Sequence, residues 1–137
     1  MIIDRNVVDT MPGPAGWFTG QVFMDLVAFP VASSRIISVM ARFNPGARCH
    51  WHTHPNGQHV WVTDGLGYCQ RRGGPIEIMR PGDRFYFEPG EEHWHGATPT
   101  HCMAHIAMQD VDDAGTNTVW GIPVTDEEYA QAPPVNA

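Results

Sequence analysis

Turn signals recur at short intervals through the middle of the chain: Asn44-Pro45-Gly46, Asp64-Gly65, Gly73-Gly74-Pro75, Pro81-Gly82-Asp83 and Pro89-Gly90. Breakers that close together leave no room for long helices and cut the chain into short extended pieces. The pieces themselves alternate with period two. Ile37, Val39, Ala41 and Phe43 are interleaved with Ile36, Ser38, Met40 and Arg42, which is the pattern of a half-buried strand starting near Arg35. Further strands are expected over Gln58 to Thr63, Gly67 to Arg71, Ile76 to Met79, Arg84 to Phe87 and His101 to Gln109. Many short strands with frequent turns predict an all-β antiparallel sandwich or barrel.

The chain has 137 residues, 42% of them hydrophobic, enough apolar surface for one core and too little for two. Residues 1–34 read as an irregular lead-in broken at Pro12, Gly13, Pro14, Gly16 and Gly20, with one apolar run, Val22 to Phe29, that Pro30 restricts to an edge strand. Residues 35–110 form the barrel core, and residues 111–137 a loop, a short helix and a tail, all within one domain. Thr125 and Glu128 stand at the spacing of a capping box, opening a helix that Pro133 and Pro134 close. The last few residues are expected to fray.

Eight positive charges, all arginine, face fifteen negative ones, for a net charge of −7. That balance repels a phosphate backbone, so nucleic acid is not expected as a partner. The absence of lysine excludes Schiff-base chemistry and pyridoxal phosphate attachment through this chain. Asp25 and Arg35 interrupt the most apolar regions, so no membrane span is expected, and the start of the chain lacks the pattern of a secretory signal. A cytoplasmic location follows as the expectation. Cys49, Cys69 and Cys102 have no CxxC spacing and are read as reduced and structural.

Histidine is the unusual residue, with eight copies, most of them clustered. His52 and His54 stand two apart, so on a strand both rings reach one face. Gln58 and His93 come from other segments, and a small barrel brings inward side chains toward one axis. Three imidazoles and an amide oxygen suit a borderline divalent metal with open coordination positions. His93 and His95 share parity, as do Met103, His105, Ala107 and Gln109. His105 would meet His95 if its strand were the neighbour. His50 has the parity of His52 and His54, but in a continuous strand it would lie about 13 Å from His54, too far to share an ion. His59 and His101 are expected to face solvent, and Trp94 to point away from the barrel axis.

Gly46, His52-x-His54, Gln58 and Gly65, followed by Gly82, Pro89-Gly90 and His93, resemble the two motifs of the cupin superfamily in order and spacing. Glutamine stands where glutamate is usual, and Glu88 and Ala97 replace a proline and an asparagine. A closer resemblance spans roughly residues 13–129. Gly16-Trp-Phe-Thr-Gly20, Trp51-His-Thr-His-Pro55, Gly57-Gln58, Pro81-Gly-Asp83, Pro89-Gly90 and His93-Trp-His-Gly-Ala97 look like the small single-domain bacterial cupins that include manganese-dependent hydroxynitrile lyases. The resemblance implies a double-stranded β-helix (jelly-roll) barrel and a metal held by His52, His54, Gln58 and His93. It also implies catalytic roles for His95 and His105 and a substrate pocket lined by Val39, Ala41 and Gln109.

On this resemblance the expected activity is a lyase that cleaves or forms small α-hydroxynitriles, with the metal as Lewis acid and histidines transferring protons near their ordinary pKa. Manganese is the first choice of metal, with iron, zinc or nickel as alternatives. A cupin dioxygenase using iron or manganese and a non-catalytic small-ligand module are the other readings. Trp61, Ile36 and Met40 fall on outer faces, so a homo-oligomer, dimer or tetramer, is expected to cover them.

Overall fold

The computed structural model describes residues 1–5 and 7–135. Along the chain run β1 (Met11–Pro12), β2 (Phe18–Thr19), β3 (Val22–Ala28), β4 (Ile36–Phe43), β5 (Arg48–Cys49), β6 (His52–Thr53) and β7 (Gln58–Gly65). They are followed by β8 (Gly67–Arg71), β9 (Glu77–Met79), β10 (Arg84–Phe87), β11 (His93–Ala97), β12 (Met103–Asp110), β13 (Val119–Trp120) and the helix α1 (Asp126–Tyr129). The strand pairings are antiparallel throughout. No helix among the described residues is long and apolar enough to cross a membrane.

Two sheets form. One runs in the order β1-β3-β4-β12-β7-β10, and the other runs β13-β6-β11-β5-β2, with β8 also paired to β11 and β9 beyond it. The alternation read in β4 extends across the first sheet. Ala41 and Phe43 are buried together with Val60, Val62, Met103 and Ala107 from the neighbouring strands. These residues share one core with Phe18, Cys49 and Cys69 of the second sheet. The histidine groups sit among them.

The whole of β11 is buried, because the second sheet is covered on its outer side by the C-terminal segment. Thr125 caps α1 with the reciprocal bonds of a capping box. The buried Arg48 guanidinium donates to the Val124 carbonyl and to Asp126, and the Tyr129 hydroxyl donates to the Ala97 carbonyl at 2.6 Å. Trp94 points into this outer layer, where its Nε1 donates to Gln70. The tail expected to fray is docked as far as it is described: Ala132 and Val135 pack on the core, and the Tyr68 hydroxyl donates to the Pro133 carbonyl. Residues 136–137 lie outside the described residues.

Several boundaries differ from the sequence reading. The run Val22 to Phe29 forms β3, which lies one step in from the edge because β1 pairs with its Phe23 and Met24. The last long strand starts at Met103 rather than His101, since the chain bends there and the His101 amide donates to Thr98 Oγ1. The strands β1, β2, β5, β6 and β13 have two residues each, too few to show a period.

Gly65 closes β7 with φ +78°, and a Cβ there would lie 1.9 Å from the Cys102 carbonyl oxygen. Gly46 has φ +82° but nothing near its would-be Cβ. Left-handed backbone alone costs a non-glycine residue about 1–2 kcal/mol, and forced overlap adds about 1–3 kcal/mol. Gly65→Ala is therefore expected to lower the unfolding free energy by about 2–5 kcal/mol and Gly46→Ala by about 1–2 kcal/mol. Urea midpoints of the two variants check the difference, and equal losses would refute it.

Candidate metal centre

His52 opens β6, His54 follows it, and His93 opens β11, where it pairs with His52 across the ladder. Each ring is held by a main-chain carbonyl. Nδ1 of His52 donates to His50 O at 2.8 Å, that of His54 to Asn117 O at 2.7 Å, and that of His93 to Glu91 O at 2.8 Å. A carbonyl can only accept, so in the neutral rings the protons are on Nδ1 and all three Nε2 atoms carry lone pairs. The ligand nitrogens of these residues lie within 4.8 Å of one another.

Gln58, the first residue of β7, enters from the opposite sheet. Its Oε1 lies 3.2 Å from His93 Nε2, and its Nε2 donates to Gln109 Oε1 at 3.2 Å. Two acceptors, an amide oxygen and an imidazole lone pair, thus face each other in a buried space. His54 Nε2 is buried with no partner. Acceptors gathered in this way are costly unless something electron-poor stands between them. A divalent cation fits, because three neutral imidazoles and one amide oxygen are a suitable donor set for it.

Burial reinforces the same protonation state. Desolvation, with the charges of His93 and His54 adding, pushes His52 well below the usual imidazole value. Desolvation also takes His93 down to about 3 and lowers His54. Phe87 stacks flat on the His93 ring, with centroids 3.7 Å apart, excluding water from that side.

In the same interior His95 of β11 meets His105 of β12, with His105 Nε2 3.0 Å from His95 Nδ1. The two strands belong to different sheets, so the rings meet across the barrel rather than along a ladder. A register shift falls between Ala104 and His105, and His105 is buried. His95 Nε2 and His105 Nδ1 are both buried without a partner. Two neutral rings share two protons, one of which lies in the bridge. One outer nitrogen is then a donor and the other an acceptor, and a proton gained at the acceptor end, with transfer across the bridge and loss from the donor end, exchanges the two roles. The expectation that these imidazoles titrate near their ordinary value does not hold. Desolvation takes His105 down to about 4 and, with the neighbouring imidazoles adding, places His95 well below the usual value.

His52, His54, Gln58, His95 and His105 line one cavity of about 370 Å³. Val39, Ala41 and Gln109, named from the sequence, line it too, with Met24, Leu26 and Ala107. Trp17 stacks on Trp120 with centroids 5.1 Å apart, and Trp120 lies against the His52 ring. Among the described residues no arginine contributes to the lining.

His50 does not share the face of its neighbours. The chain leaves the ladder between β5 and β6, so Cys49, not His50, joins His52 and His54 at the cavity. Cys49 Sγ donates to the His95 carbonyl and accepts from the His95 amide, and burial pushes this thiol up to about 12. It also forms with His52 and His95 a second group whose ligand atoms lie within 4.8 Å of one another. His59 and His101 are exposed, His59 against Tyr86. Sequence reasoning missed Cys49, Phe87, Asn117 and Trp120. Of these only Phe87 carried a usable signal, its parity with Phe85 within the second motif, between Gly82 and Pro89.

Residues 39–106 match the cupin domain family. The chain is 48% identical over 117 residues, 85% of its length and 88% of the relative's, to an (R)-mandelonitrile lyase of Granulicella tundricola. A crystal structure of a cupin-like protein from Thermotoga maritima aligns with 33% identity and a TM-score of 0.86, over 98% of this chain and 100% of that one. The polyketide cyclase RemF of Streptomyces resistomycificus shares the fold, with 16% identity and a TM-score of 0.66 over 94% and 89% of the two chains.

The depressed histidines have a consequence for metal-free protein. Below about pH 6.5 the unfolded imidazoles take up protons that the folded ones refuse until pH approaches about 4 for His105 and about 3 for His93. Stability is therefore retained above that pH and falls with acidification through this window. Urea midpoints of chelator-treated protein at about pH 7.5 and about pH 5 should show the loss. A rising or flat profile on acidification would contradict it.

Proposed function

This chain belongs to the cupin family, and from that footing we propose that it is a metal-dependent lyase splitting small aromatic α-hydroxynitriles into aldehyde and hydrogen cyanide. The observation that carries the reading is the coexistence of two histidine groups at one apolar cavity: three fixed Nε2 lone pairs, and a neutral imidazole pair with one donor end and one acceptor end. The 48% identity to a mandelonitrile lyase supports the choice of reaction.

His52, His54, His93 and Gln58 would hold the cation. A divalent metal bound there, manganese before iron, zinc or nickel, supplies Lewis acidity toward an oxygen or nitrogen of the substrate. The remaining chemistry belongs to the chain. The acceptor end of the His95–His105 pair takes the hydroxyl proton. As the carbonyl forms, the carbon–carbon bond to the nitrile breaks, and its electron pair leaves with cyanide. The pair then gives a proton to cyanide, so the protein ends with the protons it began with. The lowered pKa of both rings keeps the pair neutral at neutral pH, which preserves its acceptor. Val39, Ala41, Leu26 and Ala107 receive the aryl group, and without an arginine in the lining a charged carboxylate substrate has no counterion.

Anaerobic release of benzaldehyde from mandelonitrile, followed in the ultraviolet, tests this. Activity should be independent of oxygen and should follow manganese content. His95→Ala and His105→Ala should each lower turnover about 10²–10⁴-fold while leaving metal content unchanged. Strict oxygen consumption would replace the lyase with a dioxygenase. Ligand binding with no turnover of any cyanohydrin would leave a binding module.

A second copy completes the assembly in this reading. Trp61 and Ile36 are exposed on the outer face of the first sheet, and Met40, Ile106 and Trp61 stand opposite one another across three strands. An apolar row of this kind suits an isologous dimer. Sedimentation velocity should give a dimer for the natural chain and a monomer for Trp61→Arg. A natural chain that sediments as a monomer at micromolar concentration would sink the idea.

A further inference from the structure

Three of the four proposed ligands are oriented by main-chain carbonyls, and the fourth is not. Gln58 carries an amide whose two ends have nearly the same shape and opposite polarity. Turned one way it offers an oxygen to the histidine lone pairs. Turned the other way it offers N–H groups, which would donate to those lone pairs and occupy them. Within the cavity one contact distinguishes the two states: Gln58 Nε2 donates to Gln109 Oε1 at 3.2 Å, while Gln58 Oε1 faces His93 Nε2. Gln109 lies on β12, in the strand adjacent to β7.

We infer that Gln109 is a positioning residue that holds the Gln58 amide with its oxygen toward the three imidazoles and so sets the affinity of the site for its cation. The inference rests on the metal reading of the site. It also gives Gln109 a definite polarity of its own. Because its oxygen is engaged by Gln58, the end left for a ligand in the cavity is its NH2 group, a donor suited to a neutral carbonyl or nitrile. A glutamate in place of Gln58 would need no such partner to offer oxygen, since both ends of a carboxylate are acceptors.

Manganese titration of metal-free protein by calorimetry, with the fold of each variant checked by circular dichroism, tests the assignment. Gln109→Leu should bind manganese about 10–100-fold more weakly than the natural chain, the usual effect of losing a group that orients a ligand. Gln109→Glu retains an acceptor for Gln58 and should bind at least as tightly as the natural chain, while its carboxylate should raise the KM for a neutral cyanohydrin. In a Gln58→Glu background, Gln109→Leu should change manganese affinity less than about threefold, because there is no amide to orient. If Gln109→Leu does not fold, the isosteric Gln109→Met provides the same readout. Equal manganese affinity in the natural chain and Gln109→Leu would overturn the inference alone, as would an equal loss in both backgrounds. A natural chain that takes up no divalent cation would overturn it together with the metal reading.

Discussion

Three hydrogen bonds from imidazole Nδ1 to main-chain carbonyls organise the interior of this barrel. They leave the lone pairs of His52, His54 and His93 on Nε2 and turn them toward one another. Side-chain partners could move, but carbonyls at His50, Glu91 and Asn117 move only if the backbone does. Ring orientation is thereby transferred to the rigidity of the sheet and of the loop ahead of β13. The Asn117 carbonyl belongs to a segment that also contributes Thr118 and Trp120 to the cavity wall. The His54 ring and this part of the cavity wall are consequently parts of one hydrogen-bonded unit.

Bringing five neutral imidazoles into one interior has an energetic consequence that the rest of the molecule must offset. Each ring is desolvated, and His54, His95 and His105 each keep a buried nitrogen without a protein partner, at a cost of about 1–3 kcal/mol apiece. The compensation lies outside the site. Behind β11, Arg48 and Tyr129 fasten the C-terminal segment to the sheet with buried hydrogen bonds, and the Trp94 ring packs against Tyr129. That layer contributes none of its side chains to the cavity. Stability and chemistry are thus divided between the two faces of the same sheet.

Much of this was legible because the chain repeats its rules. In β4, β7 and β12 eight residues alternate long enough for parity to place Ala41, Phe43, Val60 and His105 inside, and the turn glycines mark where each strand stops. Parity failed where strands are too short to sustain it. His50 was expected to share a face with His52, yet the two residues of β5 and the two of β6 are separate ladders, and the break hands the inward position to Cys49. The sequence makes the meeting of His95 with His105 conditional on neighbouring strands, and the two rings meet across the barrel from different sheets, a relation that sequence separation does not encode. Carbonyl partners such as Asn117 O were invisible for a simpler reason: every residue has a carbonyl.

The protonation states tie these observations together. A surface histidine near its ordinary pKa would exchange protons readily at neutral pH, but as a cation it could neither ligate a metal nor accept a hydroxyl proton. Burial removes that competition by keeping His93 and His105 neutral down to about 3 and about 4. The same burial makes a conjugate imidazolium a stronger acid, so in the proposed reaction a proton taken by the His95–His105 pair would be readily surrendered to a departing anion. Lower basicity weakens the first transfer and favours the second. A cation held by His52, His54, His93 and Gln58 would supply the Lewis acidity that offsets this lower basicity. Histidines this deeply buried are therefore suited to proton transfer only in company with an electron-poor partner, and the three lone pairs within 4.8 Å of one another form the place in this fold where such a partner fits.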